Sequence, residues 1–205
     1  MKWTAEKLNL HRRIVSSFNF NPYLDFLAGI ILSQYIEKDL WNLLPKVQEV
    51  NVIGPKNPPK DLNGFNIVAD SALNFYEGRY HMVVTDLDGP ADRIISSSKV
   101  GKYIIVHAHG DNIDKIIEHL PQLKGNVLGT TQSIPVRYVK NIGGFTDGDR
   151  SVLIAVFLGA KRINLYGFDF ENPVDEPKDI KAKKMEFARE IIEKLKNIRI
   201  QYIQQ

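Results

Sequence analysis

Short apolar runs punctuated by turn residues recur from about residue 47 onward. They alternate with longer stretches in which apolar side chains fall at helical spacing. Runs over 50–53, 66–69, 82–85, 103–106, 127–129, 162–166 and 198–203 read as strands, and helices are predicted over 71–75, 91–98, 113–120, 149–158 and 177–196. The last helix places Met185, Ala188, Ile191, Ile192 and Leu195 on one face. Regular alternation of strand and helix predicts an α/β fold built on a doubly wound, mostly parallel sheet. Two further helices, over 4–18 and 22–44, precede it. The second has Asn21 as N-cap and Pro22 at the first helical position. Its stripe of Tyr23, Leu27, Ile30, Ile31, Gln34, Tyr35 and Trp41 can pack on the sheet or pair with a second copy in a homodimer. The chain thus divides into an N-terminal helical extension over 1–46 and one α/β domain over 47–205. The proline-rich loop 54–60 and the irregular stretch 170–177 are both too short to link domains.

At 205 residues the chain can bury a sizeable core, and 43% hydrophobic with 25% charged residues excludes a disordered or fibrous class. Net charge is +3, from 27 Lys and Arg against 24 Asp and Glu, with an isoelectric point near 8.9. That excess is too small to point to nucleic acid, and anionic small ligands fit it equally well. Without cysteine, disulfides, thiol catalysis and thiolate metal sites are excluded, so any metal must be held by oxygen or imidazole. The first residues, Met1 to Lys7, lack the apolar core of a signal peptide, and no run approaches the ~20 apolar residues of a membrane span. The expectation is a cytoplasmic protein with no membrane or nucleic-acid partner.

Three acidic turns carry candidate chemistry. Thr85-Asp86-Leu87-Asp88-Gly89 and His107-Ala108-His109-Gly110-Asp111-Asn112 each follow a predicted strand, and Gly143-Gly144-Phe145-Thr146-Asp147-Gly148-Asp149-Arg150 opens an apolar helix. Ligands of open α/β sheets bind beyond the carboxyl ends of the strands. These carboxylates are therefore expected to share one crevice, where they need a hard cation or a proton to coexist. Asp86 and Asp88 alternate across Leu87 and, as a strand end, would face one side. That suits Mg²⁺, which takes one or two carboxylates, waters and substrate phosphates; as plain structure, Asp88 caps the next helix. His107, His109 and Asp111 look like a zinc set, but a further ligand is not obvious. A structural role, or contact of Asp111 with Mg²⁺ or substrate, is the stronger reading, with Asn112 as a helix cap. In the third turn Gly143-Gly144 permits close backbone approach, Thr146 or Asp147 can cap, and Arg150 can reach phosphate oxygens; Asp147 and Asp149 would repel phosphate unless metal bridged them. Asp70 and Ser71, at another strand end, can N-cap or read a heterocycle or ribose edge. Lys178, Lys181, Lys183 and Lys184 form a solvated face or, near the carboxyl edge, a contact to nucleotide phosphate. Together these features point to metal-assisted chemistry on phosphates.

The ordered strings Val68-Ala69-Asp70-Ser71-Ala72, Val84 to Gly89, His107 to Asn112, Thr130-Thr131-Gln132, Asn141 to Arg150 and Leu165-Tyr166-Gly167-Phe168-Asp169-Phe170 resemble the archaeal 6-hydroxymethyl-7,8-dihydropterin pyrophosphokinase family. The resemblance spans about residues 66–184, and the Asn141 to Arg150 string is its most specific part. It implies a Rossmann-like catalytic domain related to thiamin pyrophosphokinase, transferring a pyrophosphoryl group from ATP, with Mg²⁺, to the hydroxymethyl oxygen of a reduced pterin and releasing AMP. The pathway implied makes a folate- or methanopterin-type carrier. On this reading Asp86, Asp88 and Arg150 are catalytic, and Asp86, Asp88, Asp111, Asp147 and Asp149 hold metal. Pterin or nucleotide is bound by Asp70, Ser71, His109, Asp111, Asn112, Thr131, Gln132, Gly144, Thr146, Lys181 and Lys184. A rival reading takes the Asp86 turn as the nucleophile motif of a haloacid-dehalogenase-like phosphohydrolase, with Asp86 attacking phosphorus and Asp88 as acid/base. Against it, Pro90 replaces the expected Thr or Val, and several strands precede the motif. A nucleotide-binding regulatory module is disfavoured by the acids, because a pure phosphate binder would want Gly and Lys.

Overall fold

A computed structural model describes residues 5–170 and 178–203; Thr4 and all but the first residue of the irregular stretch expected over 170–177 lie outside the described residues. Eight strands form one sheet: β1 (Glu49–Ile53), β2 (Phe65–Ala69), β3 (Met82–Thr85), β4 (Tyr103–Ala108), β5 (Val127–Thr131), β6 (Val139–Lys140), β7 (Arg162–Tyr166) and β8 (Arg199–Ile203). Their order is β6-β5-β4-β3-β2-β1-β7-β8, and every neighbouring pair is parallel. Successive strand residues enter opposite cores. Val83 faces one hydrophobic cluster while Met82 and Val84 face the other, and Ile104 and Val106 oppose Ile105 in the same way. This is the period of two expected of a sheet buried on both faces. Helices α2 (Pro22–Tyr35), α3 (Ala91–Lys99) and α4 (Ile113–His119) cover one face, and α5 (Asp147–Phe157) and α6 (Lys178–Glu193) the other. Helix α1 (Ala5–Phe18) lies against α6, where Arg13 pairs with Glu190 at 2.7 Å. The architecture is the expected doubly wound, Rossmann-like α/β fold. Among the described residues no helix is long and apolar enough to cross a membrane.

Strands β2 to β6 build outward from β1 on one side, whereas β7 and β8 lie on its other side. The connections that leave β1 and β7 therefore run to opposite sides of the sheet, which makes this the topological switch point at whose carboxyl edge such sheets bind ligands.

The second predicted helix differs in length and in facing. It ends at Tyr35, and residues 41–43 form a 3₁₀ turn, with Asp39 Oδ1 accepting from the Trp41 N–H at 3.0 Å. Tyr23, placed on the predicted stripe, is 72% exposed, whereas Ala28, Gly29, Leu32 and Ser33 are buried. A helix apolar on most sides carries little directional information, so fit decides which face turns inward. The face that turns inward runs through Asp25, Ala28, Gly29, Leu32 and Ser33, with Gly29 against β5, where a Cβ would make ordinary contact with Thr131 Oγ1 at 3.5 Å. Residues 70–74 form a 3₁₀ turn where an α-helix was expected, and the two-residue β6 is too short to show a period in the sequence.

Leu32 is fully buried in the core beneath α2. Leu32→Ala should lower stability by about 2–5 kcal/mol, read as an earlier midpoint in one cooperative urea transition. A separate early transition confined to the N-terminal helices would show that they fold apart from the sheet.

Candidate active site

A cavity of about 340 Å³ lies at the carboxyl edge, lined by the loops after β1, β2, β3, β4, β5 and β7, the first turn of α5 and one face of α6. Among the described residues, Asp70, Asp86 and Asp147 each bring a carboxylate oxygen within 4.8 Å of the other two. Asp70 follows β2, Asp86 follows β3 and Asp147 begins α5, so three separate segments converge. A set of three hard oxygen donors fits Mg²⁺ or a similar cation and offers nothing to a soft one.

Each member is set by its neighbours. Asp70 is buried, and its Oδ1 accepts from Thr85 Oγ1, which in turn accepts from the Leu87 N–H at 2.8 Å. Gly89 presses on the same carboxylate: a Cβ there would lie 2.7 Å from Asp70 Cγ. Burial, and then the Asp86 charge, push Asp70 up to about 7 against the opposing Thr85 hydrogen bond. Asp147 is raised well above the carboxylate range by burial, followed by Asp86 and Asp70. Burial acts on Asp86 in the same direction, but His109 and smaller contributions outweigh it and hold Asp86 low. His109 Nε2 stands 3.6 Å from Asp86 Oδ2, while its Nδ1 accepts from the Asp111 N–H at 3.3 Å. That acceptor role leaves the ring proton on Nε2, facing Asp86.

The Asp86–Asp88 pair does not line up as a strand end. β3 stops at Thr85, and buried Leu87 adopts φ +69°, a left-handed conformation costly for a residue with a branched side chain. Asp86 joins the trio, whereas Asp88 Oδ1 pairs with Lys115 Nζ at 2.5 Å. Asp149 lines the cavity, yet its oxygens cap α5. Oδ1 accepts from the Thr146 N–H at 2.6 Å and from Thr146 Oγ1 at 2.7 Å, and Oδ2 accepts from the Phe145 N–H at 2.9 Å. Ser71, Asp111, Gln132, Thr146, Lys181 and Lys184 line the cavity as well. Asn112, Thr131, Gly144 and Arg150 lie behind its wall. Asn112 Nδ2 donates to the carbonyls of Asp86 and His107 at 2.7 Å each, tying two site loops together. Thr131 Oγ1 accepts from the Ser133 N–H at 3.0 Å. Gly144, at φ +93°, has no room for a Cβ, which would sit 3.0 Å from Arg150 Cα.

Arg150 is completely buried. Its Nη1 donates to Gly143 O at 2.8 Å, and its Nη2 to Gly144 O at 3.2 Å and to His107 Nε2 at 3.0 Å. Burial, reinforced by Arg150, holds His107 well below its ordinary value, so the ring is neutral and accepts at Nε2. The structure thus sets Arg150 behind the cavity as a fixed counter-charge to the acids, and His107 as its acceptor. The sequence reading gives Asp70 to substrate alone, although Asp70 follows β2 as Asp86 follows β3. It also misses Asp25, buried in α2, whose oxygens accept from the Gly110 N–H and from Gln132 Nε2, each at 2.8 Å. A single acid early in an otherwise apolar helix was the available signal.

The raised Asp70 fixes a sign. Between its unfolded value and about 7 the folded chain holds a proton that the unfolded chain lacks, so this contribution to stability is full at low pH and is lost as the pH rises through about 7. In chelator, the urea midpoint should fall between about pH 5 and about pH 8, and Asp70→Asn should flatten that slope. An unchanged slope in the variant would mean that Asp70 titrates normally. Arg150→Met should lose about 3–5 kcal/mol in the same assay, whereas undiminished stability would show that the guanidinium is not a core counter-charge.

Residues 79–175 match the family described as 6-hydroxymethylpterin diphosphokinase MptE-like. The chain is 37% identical to the 6-hydroxymethyl-7,8-dihydropterin pyrophosphokinase of Pyrococcus furiosus, covering 96% of this chain and 95% of that protein. It is 36% identical to the protein of the same name from Methanocaldococcus jannaschii, covering 94% and 96%. The corresponding protein of Methanothermobacter thermautotrophicus is 44% identical over 55% of this chain and 53% of its own length. With two relatives aligned almost end to end, the chain belongs to the 6-hydroxymethyl-7,8-dihydropterin pyrophosphokinase family.

Proposed function

We propose that this chain transfers the terminal pyrophosphoryl group of ATP to the hydroxymethyl oxygen of 6-hydroxymethyl-7,8-dihydropterin and releases AMP. The observation that carries this reading is the trio Asp70, Asp86 and Asp147 at the carboxyl edge, in a chain whose near full-length relatives bear that name. The trio would hold Mg²⁺, which when bound neutralises phosphate charge. The remaining work falls to the chain's own groups. His109 keeps Asp86 ionised and oriented, Thr85 pins Asp70, and Lys115 pairs with the Asp88 carboxylate, which also lines the cavity, and offsets its charge toward the phosphates. Lys181 and Lys184 line the cavity from α6 and bring positive charge to the nucleotide phosphates. Ser71, Asp111, Gln132 and Thr146 are left to bind and orient the two substrates. In the transfer, the acceptor oxygen bonds to the β-phosphorus, the bond from that phosphorus to the oxygen carried by the α-phosphorus breaks, and the hydroxymethyl proton is released. Such chemistry asks mainly for alignment and for charge placed in advance.

Given ATP, Mg²⁺ and the dihydropterin, the protein should form AMP and the pterin diphosphate in equal amounts, and no AMP without acceptor. Appearance of ADP, or of phosphate in the absence of acceptor, would defeat the assignment. Asp86→Asn should lower kcat by about a hundredfold or more with the unfolding midpoint little changed. Quenching during turnover with labelled ATP should leave no hydroxylamine-sensitive label on Asp86; a stoichiometric burst there would favour the phosphohydrolase chemistry.

A further inference from the structure

Resting on that reading of the reaction, we propose that Phe168 and Asp169, on the loop leaving β7, seat the acceptor. Phe168 stacks on its planar heterocycle, and Asp169 takes the paired N–H donors of its amino-oxo pyrimidine edge.

Place comes first. The loop lies at the switch point between β1 and β7, where an open α/β sheet binds its ligands. Here the two loops are sewn together. The Gly54 N–H donates to Tyr166 O at 2.7 Å and the Lys56 N–H to Gly167 O at 3.1 Å. Gly167, at φ +69°, leaves no space for a Cβ, which would stand 2.6 Å from Gly54 O and 2.7 Å from Lys56 O. The residues that follow are therefore held by backbone, the firm mounting that a recognition surface needs. Phe168 is half-buried and lines the cavity, with its ring edge against Gly148, where a Cβ would lie 2.8 Å from Cε1. Gly148 is the residue after Asp147, and Phe168 lines the same cavity as all three carboxylates.

Reach then separates the two substrates. The attacking oxygen is one carbon away from the acceptor ring, so that ring must lie close to the reacting phosphorus. In ATP the ribose and the α-phosphate stand between the adenine and that phosphorus. A stacking surface in the same cavity as the trio therefore suits the acceptor ring, with adenine lying farther off.

Hydrogen bonding points the same way. Asp169 lines the same cavity, and Lys56 Nζ pairs with its Oδ2. A carboxylate offers about four lone-pair sites and can accept from several donors at once. The amino-oxo pyrimidine edge presents two parallel N–H donors that match a carboxylate's two oxygens. Adenine presents one donor beside a ring nitrogen acceptor, which a carboxylate repels.

The test measures the two ligands separately on the full chain. Fluorescence titration with the oxidised analogue 6-hydroxymethylpterin follows the acceptor, and calorimetry with a non-hydrolysable ATP analogue and Mg²⁺ follows the nucleotide. Phe168→Leu and Asp169→Asn should each weaken pterin binding about tenfold or more while leaving the ATP analogue within about twofold. Phe168→Tyr, which keeps the ring, should restore pterin affinity and supplies a folded comparison if the leucine variant is unstable. Loss of ATP-analogue binding with pterin binding intact would give the seat to adenine and overturn the proposal, as would pterin binding unaffected by either change. A wild-type chain that binds the ATP analogue but no pterin would remove the acceptor reading itself, and the seat with it.

Discussion

Three carboxylates drawn from three segments of the chain lie within 4.8 Å of one another in a partly dehydrated cavity, and their repulsion has to be balanced by whatever surrounds them. Much of the local structure can be traced to that requirement. Burial and mutual repulsion push Asp70 and Asp147 toward their protonated forms, whereas His109 favours the ionised form of Asp86. Lys115 offsets the charge of a fourth acid by pairing with Asp88. Behind the wall, the buried guanidinium of Arg150 adds a positive charge that cannot be washed out by salt, because it is shielded from solvent. A divalent cation would replace the protons and leave the rest of this arrangement undisturbed.

Such a cluster also has to be held in place. The backbone does so through features that carry no charge at all. Leu87 is kept in a left-handed conformation, and across it the Asp88 N–H donates to Asp86 Oδ1 at 3.1 Å. Asn112 bridges the carbonyls of Asp86 and His107 and locks the loops after β3 and β4 to each other. Asp25 reaches from α2 to the next pair of loops, so the helices at the start of the chain support the site as well as the core. Strain and buried polar links of this kind are affordable only where a large core stands behind them.

The sequence revealed the scaffold more readily than the site. A parallel sheet covered on both faces needs continuous apolar runs, and these are visible at every strand except the two-residue β6. The acidic turns at the ends of β3 and β4 were equally visible, because polar residues directly after such runs stand out. What stayed hidden depends on three-dimensional convergence. Nothing local distinguishes Asp70, which joins the trio, from Asp149, which caps its own helix. Arg150 reads in the sequence as a contact to phosphate, because its burial depends on Gly143, Gly144 and His107, the last 43 residues away. Helix α2 misled for a different reason: with apolar residues on nearly every side, periodicity cannot tell the face of Ala28 and Leu32, which is buried, from that of Tyr23 and Leu27, which is not.

The return of β7 to the side of β1 has a consequence for synthesis. The pairing joins residues more than a hundred positions apart; Asn164 Nδ2, for example, donates to Asn51 Oδ1 across 113 residues. Contacts of that span are made late, since the loop must close before they give anything back. While the chain emerges from the ribosome, β1 to β6 can associate in sequence order, yet the crevice has only one of its two sides until the segment through Tyr166 is free. Until then the cavity lacks the wall that Gly167, Phe168 and Asp169 supply. The three acids, which all precede β7, are thus synthesised before the enclosure that will hold a ligand against them is complete.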